Sequence, residues 1–140
     1  MRKFFKEARI EFLVDERRET EDFVLIGRDD STTNPDREAL DKLLQRGQEY
    51  KPKIVLDHNP TGIKDAVEQD VDLVLCGHTH KGQFFPADLF TKLAYGKQGF
   101  YGYFKEGKTQ SVVTSGAGYF QMPMRIGSNS EIVVLHVSGK

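Results

Sequence analysis

Three of the four histidines in this 140-residue sequence fall within a stretch of 23 residues, and each follows a run typical of a buried strand. His58 comes after residues 54–56, while His78 and His80 come after residues 71–76. Side chains two residues apart in an extended segment point to the same side, so we expect His78 and His80 to reach into one site. Imidazole binds Zn, Fe, Mn and Ni ions, and two such ions about 3.5–4 Å apart activate water for hydrolysis. The three histidines are therefore candidate metal ligands.

The segments around these histidines predict a strand, a helix and a second strand in succession. Residues 54–56 are apolar and partly β-branched, and Pro60 ends this strand because proline cannot donate to a sheet ladder. Residues 62–69 can form two helical turns whose apolar side is Ile63, Ala66 and Val67. Residues 71–76 are almost continuously apolar, as in a strand covered on both faces, and end at Gly77. Such a unit forms neighbouring parallel strands, so the histidines that follow them should lie at the same edge of the sheet.

The remainder of the chain predicts shorter elements of an α/β fold with mixed α+β character. We expect a helix over residues 4–8 and strands over residues 10–14, 23–26, 111–114 and 131–137, with a hairpin between the first two strands. A further helix should begin at Thr33 or Asn34, with Pro35 at its first position, and run to about Gln48. Its buried stripe would be Leu40, Leu43 and Leu44.

Residues 81–108 combine many glycines with many aromatic side chains and are interpreted as loop-rich. Two interpretations stay open for this segment. It is either a mobile loop on the substrate side of the histidines or an irregular segment that its aromatic rings pin to the fold.

The composition excludes several classes of protein. The chain has 20 Lys and Arg against 21 Asp and Glu, a net charge of −1, so we expect no global field that would hold it to nucleic acid or to an anionic membrane, and a general nucleic-acid clamp is disfavoured. A mean hydropathy of −0.52 and the lack of any run of about 20 apolar residues disfavour a membrane-spanning segment, and the N-terminal residues do not resemble a signal peptide. The only cysteine, Cys76, cannot form an internal disulfide, and its presence leans towards a reducing compartment.

Several motifs resemble one known family. Residues 75–80 resemble the Gly-His-x-His signature of the calcineurin-like metallophosphoesterases, and residues 54–60 resemble the preceding strand with its single metal-binding histidine. The tail resembles the closing strands of bacterial members of the membrane-associated or cyclic-nucleotide-type subgroup, over residues 115–118, 123–127 and 131–133. Residues 12–16 and 25–30 fit the same subgroup, so the resemblance covers essentially the whole chain.

This resemblance implies that residues 1–140 are a single partial domain, the C-terminal half of a four-layer αββα sandwich. It also implies two divalent metal ions, Mn, Fe or Zn, in the complete site, with at most partial occupancy in this chain. His58 and His78 would bind one ion and His80 the other. The activity implied is hydrolysis of a phosphomonoester or phosphodiester by a metal-bound hydroxide.

The sequence departs from the family pattern in its missing motifs. The family's Asp-x-His, Gly-Asp-x-x-Asp and Gly-Asn-His-Asp motifs do not occur in this chain, and they would supply the bridging aspartate and the general-acid histidine. We therefore assign no catalytic residue and expect the chain by itself to be inactive. Five aspartates are candidates to substitute for the missing ones: Asp15, Asp29, Asp30, Asp57 and Asp72. We interpret Asp15, Asp29 and Asp30 as turn and solvated residues, whereas Asp57 either orients His58 or belongs to the turn at the strand end.

The partners implied are a phosphate ester, the missing N-terminal half of the domain, and a second copy of the chain paired through an exposed sheet edge. The location implied is cytoplasmic, or membrane-associated through an absent N-terminal segment. An alternative function is a non-catalytic metal-binding or interaction module, and a more distant one is a hydrolase with Cys76 as nucleophile. Arg125 and Lys81 are either phosphate contacts or ordinary exposed basic residues, and His136 has no expected role.

Overall fold

The computed structural model describes residues 2–45 and 50–138, and within these ranges six strands form one mixed sheet. The strands are β1 (Glu16–Glu19), β2 (Val24–Gly27), β3 (Lys53–Leu56), β4 (Leu73–Cys76), β5 (Gly102–Glu106) and β6 (Thr109–Val113). The helices are α1 (Arg2–Glu7), α2 (Leu40–Leu44), α3 (Ile63–Glu68) and α4 (Ala87–Phe100). The strand order is β1-β2-β3-β4-β6-β5, with β2, β3, β4 and β6 parallel and the two edge strands antiparallel to their neighbours.

The strand–helix–strand unit predicted around the histidines is confirmed. β3 and β4 are parallel neighbours, with Ile54 paired to Leu73 and Leu56 paired to Leu75, and α3 connects them. A single 3-10 turn, Pro60–Gly62, precedes α3, and the Asn59 side chain accepts a hydrogen bond from the Thr61 amide to begin it. The two carboxyl ends that carry the histidines therefore lie side by side.

One face of the sheet packs against helices α2 and α3 and forms the core. In register across the strands, Ile26 pairs with Val55 and Val55 with Val74, and all three side chains are at most 1% exposed. The helices complete this cluster with Leu40, Leu43, Leu44, Ile63 and Ala66, so the predicted apolar stripes of both helices are confirmed. A mixed α/β fold with one helix-covered sheet face is what part of an α/β sandwich requires.

The opposite sheet face is apolar but only partly covered. Its side chains alternate with those of the core, and they are half-buried or, for Leu56, 37% exposed; they include Leu25, Ile54, Leu73, Leu75 and Val112. Residues 11–13 and 135–138 border this face along two open grooves. A sheet face of this composition normally packs against a further layer.

Two predictions for the N-terminal part are wrong in position. Residues 10–14 form no strand, and the hairpin partner of β2 is instead β1, whose sequence is Glu-Arg-Arg-Glu. The helix predicted from Thr33 or Asn34 begins only at Leu40, because residues 29–34 form turns in which Asp30 accepts the amide of Thr32. The predicted end of that helix, near Gln48, lies outside the described residues.

Two predictions for the second half of the chain are also wrong. Residues 81–108 are not mainly loop, since they contain α4 and β5, and five of their eight aromatic residues lie on these two elements. Gly96 has a φ of 65° and breaks α4, which explains why the sequence shows no long helical periodicity there. Residues 131–137 form no strand, and Ile132 and Val134 are 85% and 74% exposed.

Candidate metal centre

His58 and His78 face each other at the carboxyl ends of β3 and β4. The amide of Gly77 donates to the carbonyl of His58 at 3.1 Å, which extends the sheet ladder by one residue and aligns the two strand ends. Nδ1 of His78 lies 3.3 Å from Nε2 of His58, and the rings meet edge to face with centroids 5.1 Å apart. Two of the three predicted ligands are therefore brought together by neighbouring strands.

The geometry of this histidine pair fits two ligand positions on one ion. Two nitrogens that each lie about 2.0–2.1 Å from a tetrahedral Zn²⁺ are about 3.3 Å from each other. Burial, and then the nearby His58, lower the pKa of His78 below its ordinary value. A neutral ring keeps the lone pair that a metal ion requires, so the lowered pKa of His78 favours its role as a ligand.

His80 makes its hydrogen bonds with Arg125 and not with the histidine pair. The expectation that His78 and His80 share one side rested on an extended backbone, but their φ angles are 65° and 49°, in the left-handed region. A guanidinium nitrogen of Arg125 lies 3.2 Å from Nδ1 of His80, and another donates to the His80 carbonyl at 3.0 Å. Burial and Arg125 lower the pKa of His80. Within residues 2–45 and 50–138, no three His, Cys, Asp or Glu side chains converge on a single point.

A cavity of about 550 Å³ opens beside the three histidines. Its walls are largely apolar and come from the loop after β4 and from the inner side of α4; they include Phe84, Ala87, Tyr95 and Phe120. The Tyr95 ring lies 5.7 Å from that of His78, centroid to centroid. Asp30 and Thr32 contribute polar groups on the opposite wall. Tyr95 could not be assigned to this cavity from the sequence, because the pattern of residues 81–108 predicts a loop and not helix α4.

The candidate aspartates have structural partners. Asp57 is 1% exposed and is bound by Arg37, so it does not contact the ring of His58. Asp15 accepts the amides of Asp29 and Glu38 at 3.0 Å and 2.9 Å, and Asp72 accepts the amide of Lys53 at 2.8 Å. These carboxylates hold loops and strand ends in place.

Asp29 and Asp30 belong to one turn near the histidines. The Asp29 carboxylate accepts the Asp30 amide at 2.9 Å and the side-chain amide of Asn34 at 3.0 Å. Asp30 accepts the Thr32 amide and is the only one of the five candidate aspartates that lines the histidine cavity.

The other candidate residues also have structural contacts. Lys81 lies over the ring of Tyr101, with its ammonium 4.4 Å from the ring centre. Arg125 is directed at backbone carbonyls, which include that of Gly118 and that of Ser115 at 2.7 Å. Cys76 is 5% exposed, and burial raises its pKa to about 12. A thiol of this kind is not a nucleophile at neutral pH, which argues against the Cys76 hydrolase.

Gln83 is a buried residue that the sequence did not single out. Its side-chain amide donates to the carbonyls of Phe120 and Met122 at 2.9 Å and 3.2 Å, and its side-chain carbonyl accepts the Phe120 amide. These hydrogen bonds hold the segment that contains Phe120 beside the cavity. The signal for this role, a polar residue three positions after His80, is too weak to recognise without the fold.

Comparison with known proteins finds curated relatives. The chain is 44% identical over 103 residues to an uncharacterized metallophosphoesterase of Helicobacter pylori, and this match covers 72% of this chain and 27% of that protein. It is 46% identical over 85 residues to a zebrafish transmembrane protein with metallophosphoesterase domain, covering 58% of this chain and 19% of that protein. A Bacillus subtilis uncharacterized metallophosphoesterase is 34% identical over 104 residues, covering 72% and 35%.

The matched region is a minor part of each relative, and the chain spans about a quarter of the length of the Helicobacter pylori protein. No family model matches the chain, and no solved structure matches it. None of the helices in the described part of the chain has the length and apolar character needed to cross a bilayer.

Proposed function

Because the chain belongs to the calcineurin-like metallophosphoesterase family, we propose that it supplies one side of the active site of a metal-dependent phosphoesterase. The observation that carries the proposal is the pair of imidazole nitrogens of His58 and His78, 3.3 Å apart at two adjacent strand ends. His58 and His78 would hold one divalent ion, Mn, Fe or Zn, and His80 would contribute to a second. When bound, such ions supply an activated water and neutralise phosphate charge.

His80 has to change its contacts to take this part. A guanidinium only donates hydrogen bonds, so the Nδ1 that faces Arg125 is the acceptor and the proton of the neutral ring lies on Nε2. Ligation by His80 therefore requires the imidazole to shift its proton or to leave Arg125. The facing nitrogens of His58 and His78 are also within hydrogen-bond distance of each other, so both lone pairs have to turn towards the ion for the pair to bind it.

We propose that the remaining ligands come from the N-terminal half of the same domain. Two divalent ions need bridging carboxylates, and the aspartates of this chain that were candidates for that role are bound by amides and by Arg37. The apolar sheet face that includes Leu56 and Leu75 gives such a half a surface against which to pack. Residues 1–140 would then be a partial domain, and the chain by itself would not turn over substrate.

Homodimer formation through a sheet edge is a weaker proposal. The edge strand β1 consists of four charged residues, a composition that opposes pairing with another sheet. The other edge, β5, carries Tyr103 and Phe104 and is the edge through which two copies would pair. The substrate is proposed to be a phosphomonoester or phosphodiester. The location is proposed to be cytoplasmic or membrane-attached, and the relatives named as transmembrane proteins support the membrane-attached alternative.

Metal binding by the purified chain tests the proposal directly. Equilibrium dialysis with Mn²⁺ and with Zn²⁺, followed by metal analysis, should show one ion bound per chain. His58→Ala and His78→Ala should each weaken binding by at least about 10-fold, because a site with two protein ligands loses half of them. His136→Ala is the matched control, since His136 is exposed and outside the site. Unchanged binding in both site variants would contradict the proposal.

A second candidate function, a non-catalytic metal-binding or interaction module, is favoured by one observation. Among the described residues, the imidazole nitrogens of His58 and His78 lie close together, and no carboxylate completes a group of three candidate ligands with them. The two functions predict different coding sequences upstream of Met1. An active phosphoesterase requires the Asp-x-His and Gly-Asn-His-Asp motifs there in frame, whereas a non-catalytic module does not. They also differ in hydrolysis of a chromogenic phosphodiester with added Mn²⁺ by the protein that includes that upstream sequence.

A further inference from the structure

Helix α4 has an apolar face that points away from the protein. Leu89, Phe90 and Leu93 are 56%, 70% and 84% exposed, and their spacing of one and four residues places them on one side of the helix. Phe85, just before the helix, is 65% exposed. Large apolar side chains clustered on one exposed helix face mark an interaction surface, whereas scattered ones do not.

The charges around this face are basic. Residues 81–105 contain four lysines and a single acidic residue, Asp88. Asp88 is half-buried and one of its carboxylate oxygens is fully buried, so it adds little negative charge to the outer surface. Lys92 lies next to Leu89 and Leu93 on the same helix, and Lys97 follows the break at Gly96; both are exposed. An apolar helix face with lysines beside it is complementary to an anionic lipid surface.

The same helix forms part of the histidine cavity. Ala87, Thr91 and Tyr95 lie on the inner side of α4 and line the cavity, while Leu89 and Leu93 lie on the outer side. A surface that binds the outer side of α4 would therefore lie one helix diameter, about 10–12 Å, from the cavity wall.

We propose that the outer face of α4, formed by Leu89, Phe90 and Leu93 with Lys92 and Lys97, docks on an anionic membrane surface. Docking would hold the histidine cavity about one helix diameter from the lipid surface. Combined with the proposed function, on which this last step rests, the substrate class becomes a phosphate ester located at a membrane surface. The docking itself does not depend on metal binding or on hydrolysis.

A second copy of the chain is a less suitable occupant of this face. A two-fold interface is made by the same patch of both copies, so a dimer through α4 would bring two basic patches together. Like charges at such an interface disfavour association, whereas anionic headgroups attract them.

Vesicle sedimentation with the purified chain tests the proposal. The chain should bind vesicles of equal parts phosphatidylglycerol and phosphatidylcholine, and bind pure phosphatidylcholine vesicles at least about 10-fold more weakly, because lysines contribute only at a charged surface. The double variant Phe90→Ser and Leu93→Ser should lose binding by at least about 10-fold, as should Lys92→Glu with Lys97→Glu.

Two controls separate this surface from general hydrophobicity and from the metal site. Ile132→Ser with Val134→Ser removes two apolar side chains that are equally exposed elsewhere and should leave vesicle binding unchanged. His58→Ala with His78→Ala should also leave it unchanged, so failure of the metal site and failure of docking are distinguishable.

Three results would overturn the proposal. The first is absence of binding to the anionic vesicles, and the second is equal loss in the Ile132 and Val134 control. The third is a dimer, measured by light scattering without lipid, that Phe90→Ser with Leu93→Ser abolishes, since this would assign the face to a second copy of the chain.

Discussion

Arg37 binds the carboxylate of Asp57 through two parallel hydrogen bonds, from Nη1 to Oδ1 at 3.0 Å and from Nη2 to Oδ2 at 2.9 Å. The two side chains are 8% and 1% exposed, and Nη1 of Arg37 also donates to the carbonyl of Asp29 at 2.7 Å. Arg28 lies 3.7 Å from the same carboxylate. Asp57, the residue before His58, is thus held by opposite charges and by paired hydrogen bonds. Its contact with Arg37 connects the end of β3 to the loop after β2.

Arg37→Met should lower the free energy of unfolding by about 3–5 kcal/mol, because it leaves the buried carboxylate of Asp57 with the Asn59 amide and the more distant Arg28 as partners. Lys42→Met is the control, since Lys42 pairs with Glu38 at 3.5 Å on the surface and should contribute at most about 0.5 kcal/mol. Urea unfolding measures both. If the two variants were equally stable, the buried pair would not hold the strand end.

Gly82→Ala should destabilise the protein far more than Gly107→Ala. Both glycines have a positive φ, 74° and 59°, which costs an alanine about 1–2 kcal/mol. A Cβ on Gly82 would also lie 2.1 Å from the Cα of Asp88 in α4, whereas a Cβ on Gly107 meets nothing within 4 Å. Thermal unfolding of the two variants separates backbone strain from the close approach of α4. Equal melting temperatures would mean that α4 does not pack as described.

Stability should fall at acidic pH through His78 and His80. Burial lowers the pKa of both below the ordinary value of 6.5, so the unfolded chain takes up their protons first as the pH falls. Their contribution is fully present above about pH 6.5 and is lost as the pH falls through the lowered folded values. Urea unfolding in EDTA should therefore show a weaker loss of stability below pH 6.5 for His78→Gln with His80→Gln than for the original chain. His136→Gln should not change the profile.

Arg125→Ala should destabilise the loop after β6 instead of weakening phosphate binding. The guanidinium donates to the carbonyls of His80, Ser115, Gly116 and Gly118, and a lost hydrogen bond to a charged donor costs about 1.5–3 kcal/mol. Arg125→Lys should recover only part of this, because an ammonium cannot span the same carbonyls. Unfolding measurements and a phosphate titration on the same variants distinguish a loss of stability from a loss of phosphate binding. Weaker phosphate binding at unchanged stability would restore Arg125 as a phosphate contact.

Some of the structure could be predicted because local patterns determine it. The apolar runs that end before Asp57 and at Gly77 predicted β3 and β4, and the stripe of Ile63 and Ala66 predicted α3. Helix α4 could not be predicted because Gly96 interrupts its apolar periodicity. The strand predicted at residues 131–137 is wrong because β-branched residues also occur in exposed segments.

By itself, the sequence determined that His58 and His78 follow neighbouring parallel strands, and so that they lie at one edge of the sheet. Only the tertiary structure decided that these two rings face each other while His80 faces Arg125, which lies 45 residues further along the chain. It also decided that Asp57 pairs with Arg37, 20 residues before it. The physical reason is that periodicity and turn residues fix the course of the backbone locally, whereas the partner of a side chain depends on which distant segments the fold brings within hydrogen-bond distance.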